Sequence, residues 1–142
     1  MSDSIDIDLD IKGLDESYRA MGQFDEIAQD ELTKALERAL LLGERSTKVV
    51  SPVLHGRLRS SVAGRVTSAL GIEVAGVLAT NVAYGWILDK SSRTHYRRGP
   101  QAGNPTAGWF SETLKARKGA MAKYFHEGLR WVRIRLERLA GS

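Results

Sequence analysis

The chain has 142 residues, 42% of them hydrophobic and 27% charged, which excludes wholesale disorder and suits one domain over residues 1–142. It contains no cysteine, so a disulfide framework, a thiolate zinc site and a cysteine nucleophile are excluded. Its net charge of +4 is unevenly spread: residues 1–44 hold twelve acidic and four basic side chains, residues 90–142 three acidic and twelve basic.

That polarity suits either a basic face for phosphate or complementary ends that attract in head-to-tail assembly. No apolar run approaches the roughly 20 residues that span a bilayer. The opening Met1-Ser2-Asp3-Ser4-Ile5-Asp6 is acidic and lacks the basic-then-apolar order of a signal peptide. The expectation is a protein that works in, or is assembled in, a cytosol, with no membrane partner.

Residues 5–11 read Ile-Asp-Ile-Asp-Leu-Asp-Ile, the strict alternation of a half-buried strand. Three aspartates at period two also invite a calcium reading. An EF-hand loop starting at Asp6 needs Gly at position 11 and Glu at position 17; Ile11 and Ser17 stand there. An edge strand guarded by charge is the better account. A short helix is expected over 14–22, through Leu14, Tyr18 and Met21. A long helix follows over 25–49, with the stripe Leu32, Leu36, Ala39, Gly43, Ser46 and Val50. Asp25 and Glu26 suit its first turn, Arg45 and Lys48 its last, and Ser51-Pro52 stops it.

Residues 57–67 and 72–81 then read as a β-hairpin turning at Ser68–Gly71. The second strand is apolar on both faces and is expected to be central and covered. Residues 82–88 are aromatic and apolar but too few to assign by period. Residues 90–105 form a long basic loop, and loops of this length are uncommon unless functional. From 107 to 139 the period is helical, with a break expected near Gly119. Met121, Phe125, Leu129, Val132, Leu136 and Leu139 make its core stripe. Tyr124, Trp131 and Ile134 make a second stripe, expected to meet the sheet and another subunit. The fold class is α+β: a small antiparallel sheet (5–11, 57–67, 72–81) packed by the two long helices.

No enzyme signature accompanies this pattern. His55, His95 and His126 show no i,i+4 pairing and no HExxH spacing, so neither a metal nor another cofactor is expected. There is no GxSxG elbow or SxxK box, and Gly99-Pro100-Gln101-Ala102-Gly103 lacks the Lys-Ser/Thr ending of a phosphate loop. Tyr96 between Arg93 and Arg97 suits stacking beside phosphate contacts, and the basic half as a whole allows a nucleic-acid reading. No helix-turn-helix, zinc-finger or RNA-recognition pattern supports it.

Three local motifs in fixed order carry more information. Ser51-Pro52-Val53-Leu54-His55-Gly56-Arg57-Leu58-Arg59-Ser60-Ser61 follows the long helix. Thr80-Asn81-Val82-Ala83-Tyr84-Gly85-Trp86-Ile87-Leu88-Asp89 follows the second strand of the hairpin. Asn104-Pro105-Thr106-Ala107-Gly108-Trp109-Phe110 opens the last helix. Together they resemble the head–tail joining (neck, or tail-completion) proteins of long-tailed double-stranded DNA bacteriophages and prophages, over roughly residues 25–140. Departures from the family pattern are Gly85 for a frequent Ala, Asp89 for the usual Glu, Lys90-Ser91 in place of a Gly-rich step, and the doubled aromatic Trp109-Phe110.

The resemblance implies a non-enzymatic virion component, assembled in the host cytoplasm, that forms a homo-oligomeric ring between the connector and the tail tube. A tail terminator has similar ring logic, and a stand-alone nucleic-acid-binding protein is the reading from another class. On the family reading Pro52, Gly56 and Gly85 are structural, and Leu58, Tyr84 and Trp109 pack the core. Contacts to neighbouring subunits, connector and tail-tube proteins or packaged DNA are expected from Arg57, Arg59, Arg93, Tyr96, Arg97 and Arg98.

Overall fold

The computed structural model describes residues 22–52, 57–70, 73–80, 82–91, 93, 95–96 and 102–141. The expected strand over 5–11 lies outside them, as does the expected helix over 14–22 except for Gly22. The elements are α1 (Phe24–Val50), α2 (Arg57–Ser61), β1 (Ala63–Leu70), β2 (Glu73–Ala79), α3 (Ala83–Lys90) and α4 (Ser111–Ala140). The class is α+β: two long helices and a two-stranded antiparallel sheet.

α1 has Asp25 and Glu26 in its first turn and Lys48 in its last, matching the helix dipole. It stops at Ser51, whose backbone is extended (φ −63°, ψ 139°), as the residue before a proline must be. The Ser51 hydroxyl donates to the Lys48 carbonyl at 3.0 Å and satisfies one of the free carbonyls at the helix end.

α4 runs antiparallel to α1. Arg135 of α4 meets Asp30 and Glu31 of α1, Gly128 meets Ala35, and Met121 lies by Gly43. Phe24, Ile27, Ala28, Leu32, Ala35 and Ala39 interleave with Met121, Phe125, Val132 and Leu136 as the main core. α4 passes unbroken through Gly119, contrary to the expected break: nothing lies within 4 Å of a Cβ built there, so no packing conflict bends the helix. Leu139, expected in the core, is 39% exposed, because its position falls opposite the first turn of α1, where the partner helix runs out. In the second stripe, Tyr124 packs against the α1–α4 core and Trp131 is 40% exposed.

The sheet packs on another side of α1. Its register pairs Ala63 with Ala79, Val66 with Gly76 and Leu70 with Glu73, with an irregularity between Val66 and Ser68 that leaves Thr67 without an opposite residue. This extra residue keeps Ala69 on the same half-buried face as Gly64 and Val66. Gly64 and Gly76 bring the sheet onto Leu40: Cβ atoms built on them would lie 3.0 Å and 2.9 Å from it. β2 is not covered on both faces, as was expected. Ala75 and Val77 are exposed, Val77 by 44%, because α1 covers one face of the sheet only.

One assignment changes type, and one segment left unassigned gains a type. Residues 57–61, expected to begin a strand, form the helical turn α2. Leu58 and Val62 are four apart, a spacing that puts both on one side in a helix and in a strand alike, so period could not separate the two. Residues 83–90 form the helix α3. α4 begins at Ser111 rather than 107, since Gly108 has φ 80° and residues 107–110 are turns.

Glu44 ties α1 to the sheet. It accepts from Lys48 Nζ at 2.9 Å, and its Oε2 accepts from the Gly64 N–H at 3.2 Å. The Lys48 hydrogen bond, aided by the Gly64 N–H, holds its carboxyl below the ordinary value of 4.5 despite partial burial. A carboxyl with a lowered folded pKa stabilises fully above its unfolded value and loses that contribution as pH falls through the folded value. Thermal midpoints measured from pH 7 down to 3 should therefore fall less steeply in Glu44→Gln than in the wild type.

The two helical glycines of α4 are expected to respond with opposite signs. A Cβ at Gly128 would lie 3.0 Å from Ala35 Cβ and 3.3 Å from the Glu31 carbonyl, so Gly128→Leu overpacks the helix crossing. Urea denaturation should show a loss of about 1–3 kcal/mol. Gly119→Ala meets nothing and should gain about 0.5–1 kcal/mol from helix propensity.

Candidate interaction site

The three sequence motifs meet at one place. Leu58 and Val62, Val82, and Trp109 and Phe110 form a second buried cluster, with Leu78, Leu88, Tyr96 and Leu114 packed against it. Trp109 and Phe110 contact edge to face with centroids 5.4 Å apart. Gly85 of α3 lies against this cluster: a Cβ there would lie 2.7 Å from Leu58 Cδ1. The backbone of α3 thus approaches the Trp109 ring, whose Nε1 donates to the Gly85 carbonyl at 3.0 Å.

α3 and the start of α4 cap each other. Carbonyls near the end of a helix lack intrahelical partners, as do the first N–H groups of the next. Thr106 Oγ1 donates to the Leu88 carbonyl at 3.1 Å, and the Gly108 N–H to the Asp89 carbonyl at 2.7 Å. In return, Asp89 Oδ1 accepts from the Phe110 N–H at 2.9 Å and the Ser111 N–H at 3.1 Å, with the Ser111 hydroxyl at 3.3 Å. Asp89 is buried, and its negative charge stands at the positive end of the α4 dipole. Among the described residues nothing donates to its Oδ2.

The other motif hydroxyls join the elements before α3. Ser61 and Thr80 share a short hydrogen bond across the hairpin base, and Thr80 Oγ1 accepts from the Val82 N–H at 3.1 Å. The described part of the 90–105 segment closes on itself. His95 and Pro105 form an isolated antiparallel bridge, the Tyr96 N–H donates to the Asn104 carbonyl, and the Gly103 N–H donates to the Tyr96 carbonyl, both at 2.9 Å. Tyr96 is half-buried, and its hydroxyl donates to the Val50 carbonyl at the end of α1 at 2.5 Å. Burial first, and then the Asp89 charge, raise its phenol above the ordinary value of 10.0.

The expected contact residues divide accordingly. Arg59 is exposed, with its Nε 3.5 Å from Ser51 Oγ, beside the end of α1. Arg93 is exposed, and its backbone N–H donates to Ser91 Oγ at 3.2 Å. Tyr96 anchors the base of the loop. Arg97 and Arg98 lie outside the described residues, as does the side chain of Arg57. Leu58 and Trp109 are buried as expected; the Tyr84 side chain and Gly56 lie outside the description.

Sequence reasoning assigned no role to the capping carboxylate. A signal for it exists: the residue before α4 is Phe110, which has no side-chain oxygen, so a cap for this helix had to come from elsewhere in the chain. Among the described residues no three His, Cys, Asp or Glu side chains assemble, and no helix is long and apolar enough to cross a membrane. A cleft of about 390 Å³ opens between the start of α1 and the end of α4, lined by Gln23, Glu26, Ile27, Arg135, Arg138 and Leu139. Among the described residues its lining holds one carboxylate, Glu26, two guanidinium groups and no nucleophile.

Asp89→Ala removes a helix cap, an effect of about 0.5–2 kcal/mol, and leaves buried N–H groups without acceptors, so the loss in urea denaturation should reach or exceed the top of that range. Asp89→Asn keeps an acceptor at Oδ1 and should lose less. In the same Asn variant the Tyr96 phenol, identified in an ultraviolet titration by its absence from Tyr96→Phe, should move down toward 10.0 without reaching it, since its burial persists.

Compared with protein-family models, curated proteins and solved structures, the chain matches none.

Proposed function

We propose that this chain is a structural, non-enzymatic virion subunit of a tailed bacteriophage or prophage, assembled in the host bacterial cytoplasm, that forms a ring joining the tail to the capsid connector. The observation that carries the reading is the convergence of the three motifs. They are separated along the chain by the hairpin and by residues 90–103, yet Leu58, Val82, Trp109 and Phe110 pack as one cluster, joined by Val62 just past the first motif. Motif residues also supply the caps: Thr106 Oγ1 and the Gly108 N–H on the end of α3, and Asp89 on the start of α4. Patterns that match by accident have no reason to converge or to satisfy one another's backbone.

Two of the four departures from the family pattern have local physical accounts. Asp89, in place of the usual Glu, is long enough to reach two backbone N–H groups at 2.9 and 3.1 Å. Gly85, in place of a frequent Ala, leaves the space that Leu58 and Trp109 occupy. On this reading the scaffold of such a subunit is the joint between α3 and α4, and its partner contacts come from the exposed Arg59 and Arg93 together with Arg97 and Arg98, which lie outside the described residues. A heterologous interface repeated by rotation closes a ring and needs no catalytic group.

Electron micrographs of particles made without the protein test the reading. Filled heads lying apart from tails of normal length are the expected result. Tails of uncontrolled length assign the terminator role instead, and normal joined particles overturn both. Joint substitution of Arg93, Arg97 and Arg98 with Ser should reduce infectivity while leaving the fold intact; unchanged assembly and infectivity would remove the arm from the interface.

A further inference from the structure

On α1 the sheet meets Leu36 and Leu40, and α4 meets Ala35 through Gly128. At 100° per residue, Arg38, Leu42, Arg45 and Val49 fall on the side of α1 away from the sheet, with Leu41 beside them. Glu31 belongs to the same row, and Arg135 of α4 pairs with it. Steps of four, seven and seven residues back from Arg135 carry the facing row of α4 through Trp131, Tyr124 and Arg117. The two rows border one shallow face. Val49 is 76% exposed, Leu41 and Trp131 are exposed, and Leu42, Ala120 and Tyr124 are half-buried between them. Arg38, Arg45 and Arg117 are exposed along the face, and among the described residues none of them makes an ion pair. Over residues 38–49 the one carboxylate is Glu44. It lies on the sheet side, bound by Lys48 and the Gly64 N–H and drawn to Arg45 only through space. Residues 113–126 hold no carboxylate. Glu37 and Glu127 stand at the Arg38 end, so positive charge dominates around Arg45 and Arg117.

From this geometry we infer that the α1–α4 face takes residues 5–11 of a second copy of the chain. Charge and apolar pattern together select the occupant. Residues 3–11 hold Asp3, Asp6, Asp8 and Asp10, with aliphatic side chains between them and no cation. Extended, such an alternation lays Ile5, Ile7, Leu9 and Ile11 along one edge and three aspartates along the other. The aliphatic edge suits Leu41, Leu42 and Val49, and the arginine heads at the rim suit the carboxylates. The lengths agree: six steps of extended chain cover about 20 Å, and Arg38 to Val49 covers about 17 Å along α1. The described acids of α1 match less well, because Asp30 and Glu31 are already held by Lys34 and Arg135. Docking within one chain is also disfavoured. Phe24 to Arg45 is about 32 Å along α1, whereas a free chain as long as the link from Ile11 to Phe24 spans about 20 Å on average. The inference rests on the ring reading, which supplies the second copy and requires two different surfaces at each heterologous interface.

The test is sedimentation velocity of the purified full chain over a concentration series, at roughly 50 and 500 mM salt. The segment variant is Asp6→Asn/Asp8→Asn/Asp10→Asn, and the face variant is Arg38→Gln/Arg45→Gln/Arg117→Gln. A third variant, Leu41→Ser/Val49→Ser, removes the apolar part of the face. The wild type should self-associate, and less at high salt. Each variant should weaken association by about tenfold or more. An equimolar mixture of the segment and face variants retains one intact interface per pair, so it should form dimers and stop there. Circular dichroism and melting of the face variant should be unchanged, because its three arginines are exposed.

A wild type that stays monomeric at every concentration overturns the inference. So does association that either the segment variant or the face variant leaves unchanged. If both variants lose association but their mixture forms no dimer, the segment acts on its own chain and the inference is again overturned. None of these results changes whether heads and tails join in micrographs, so failure here and failure of the tail-joining reading are read from different experiments.

Discussion

The junction between α3 and α4 depends on one buried carboxylate. Asp89 sits in the last turn of one helix and caps the first turn of another, while the segment between them caps the helix that carries it. Each partner satisfies backbone groups that the other leaves open, so neither helix end can be buried without the other. The Trp109 ring and the Gly85 backbone fix the distance between them. The Tyr96 hydroxyl fastens the described part of the segment between α3 and α4 to the end of α1.

Around this joint the packing is built on close approach. α1 is the common support: α4 lies along one side of it through Ala35 and Gly128, and the sheet lies along another through Leu40, Gly64 and Gly76. Small residues at both contacts allow short distances between elements. A layer thus forms from few large side chains, which suits a chain with three tryptophans and three phenylalanines. The segregation of charge along the sequence is partly resolved inside the molecule, where basic Arg135 near the end of the chain meets Asp30 and Glu31 near the start of α1.

Much of this was legible beforehand. The long helices were readable because their apolar residues recur with a period that only a helix satisfies over many turns, and their ends carry the acids, the bases and the proline that helix ends prefer. The hairpin was readable from alternation. Where segments were short the signal failed. Leu58 and Val62 sit at a spacing shared by helix and strand, and residues 83–90 hold too few turns for a period to emerge. The apolar outer face of β2 suggested a covered strand, but Ala75 and Val77 are small enough for exposure to be tolerated.

The sequence by itself determined the two long helices, the hairpin, the absence of thiol chemistry and the order of the three motifs. Those properties depend on residues near one another in the chain, whose periodicity and type can be read directly. The tertiary structure alone decided which acid caps which helix, that Tyr96 turns inward to Val50, that Gly85 admits Leu58 and Trp109, and which arginines are paired. Each of these depends on groups brought together from twenty to about a hundred residues apart, and no local pattern of residues encodes such a meeting.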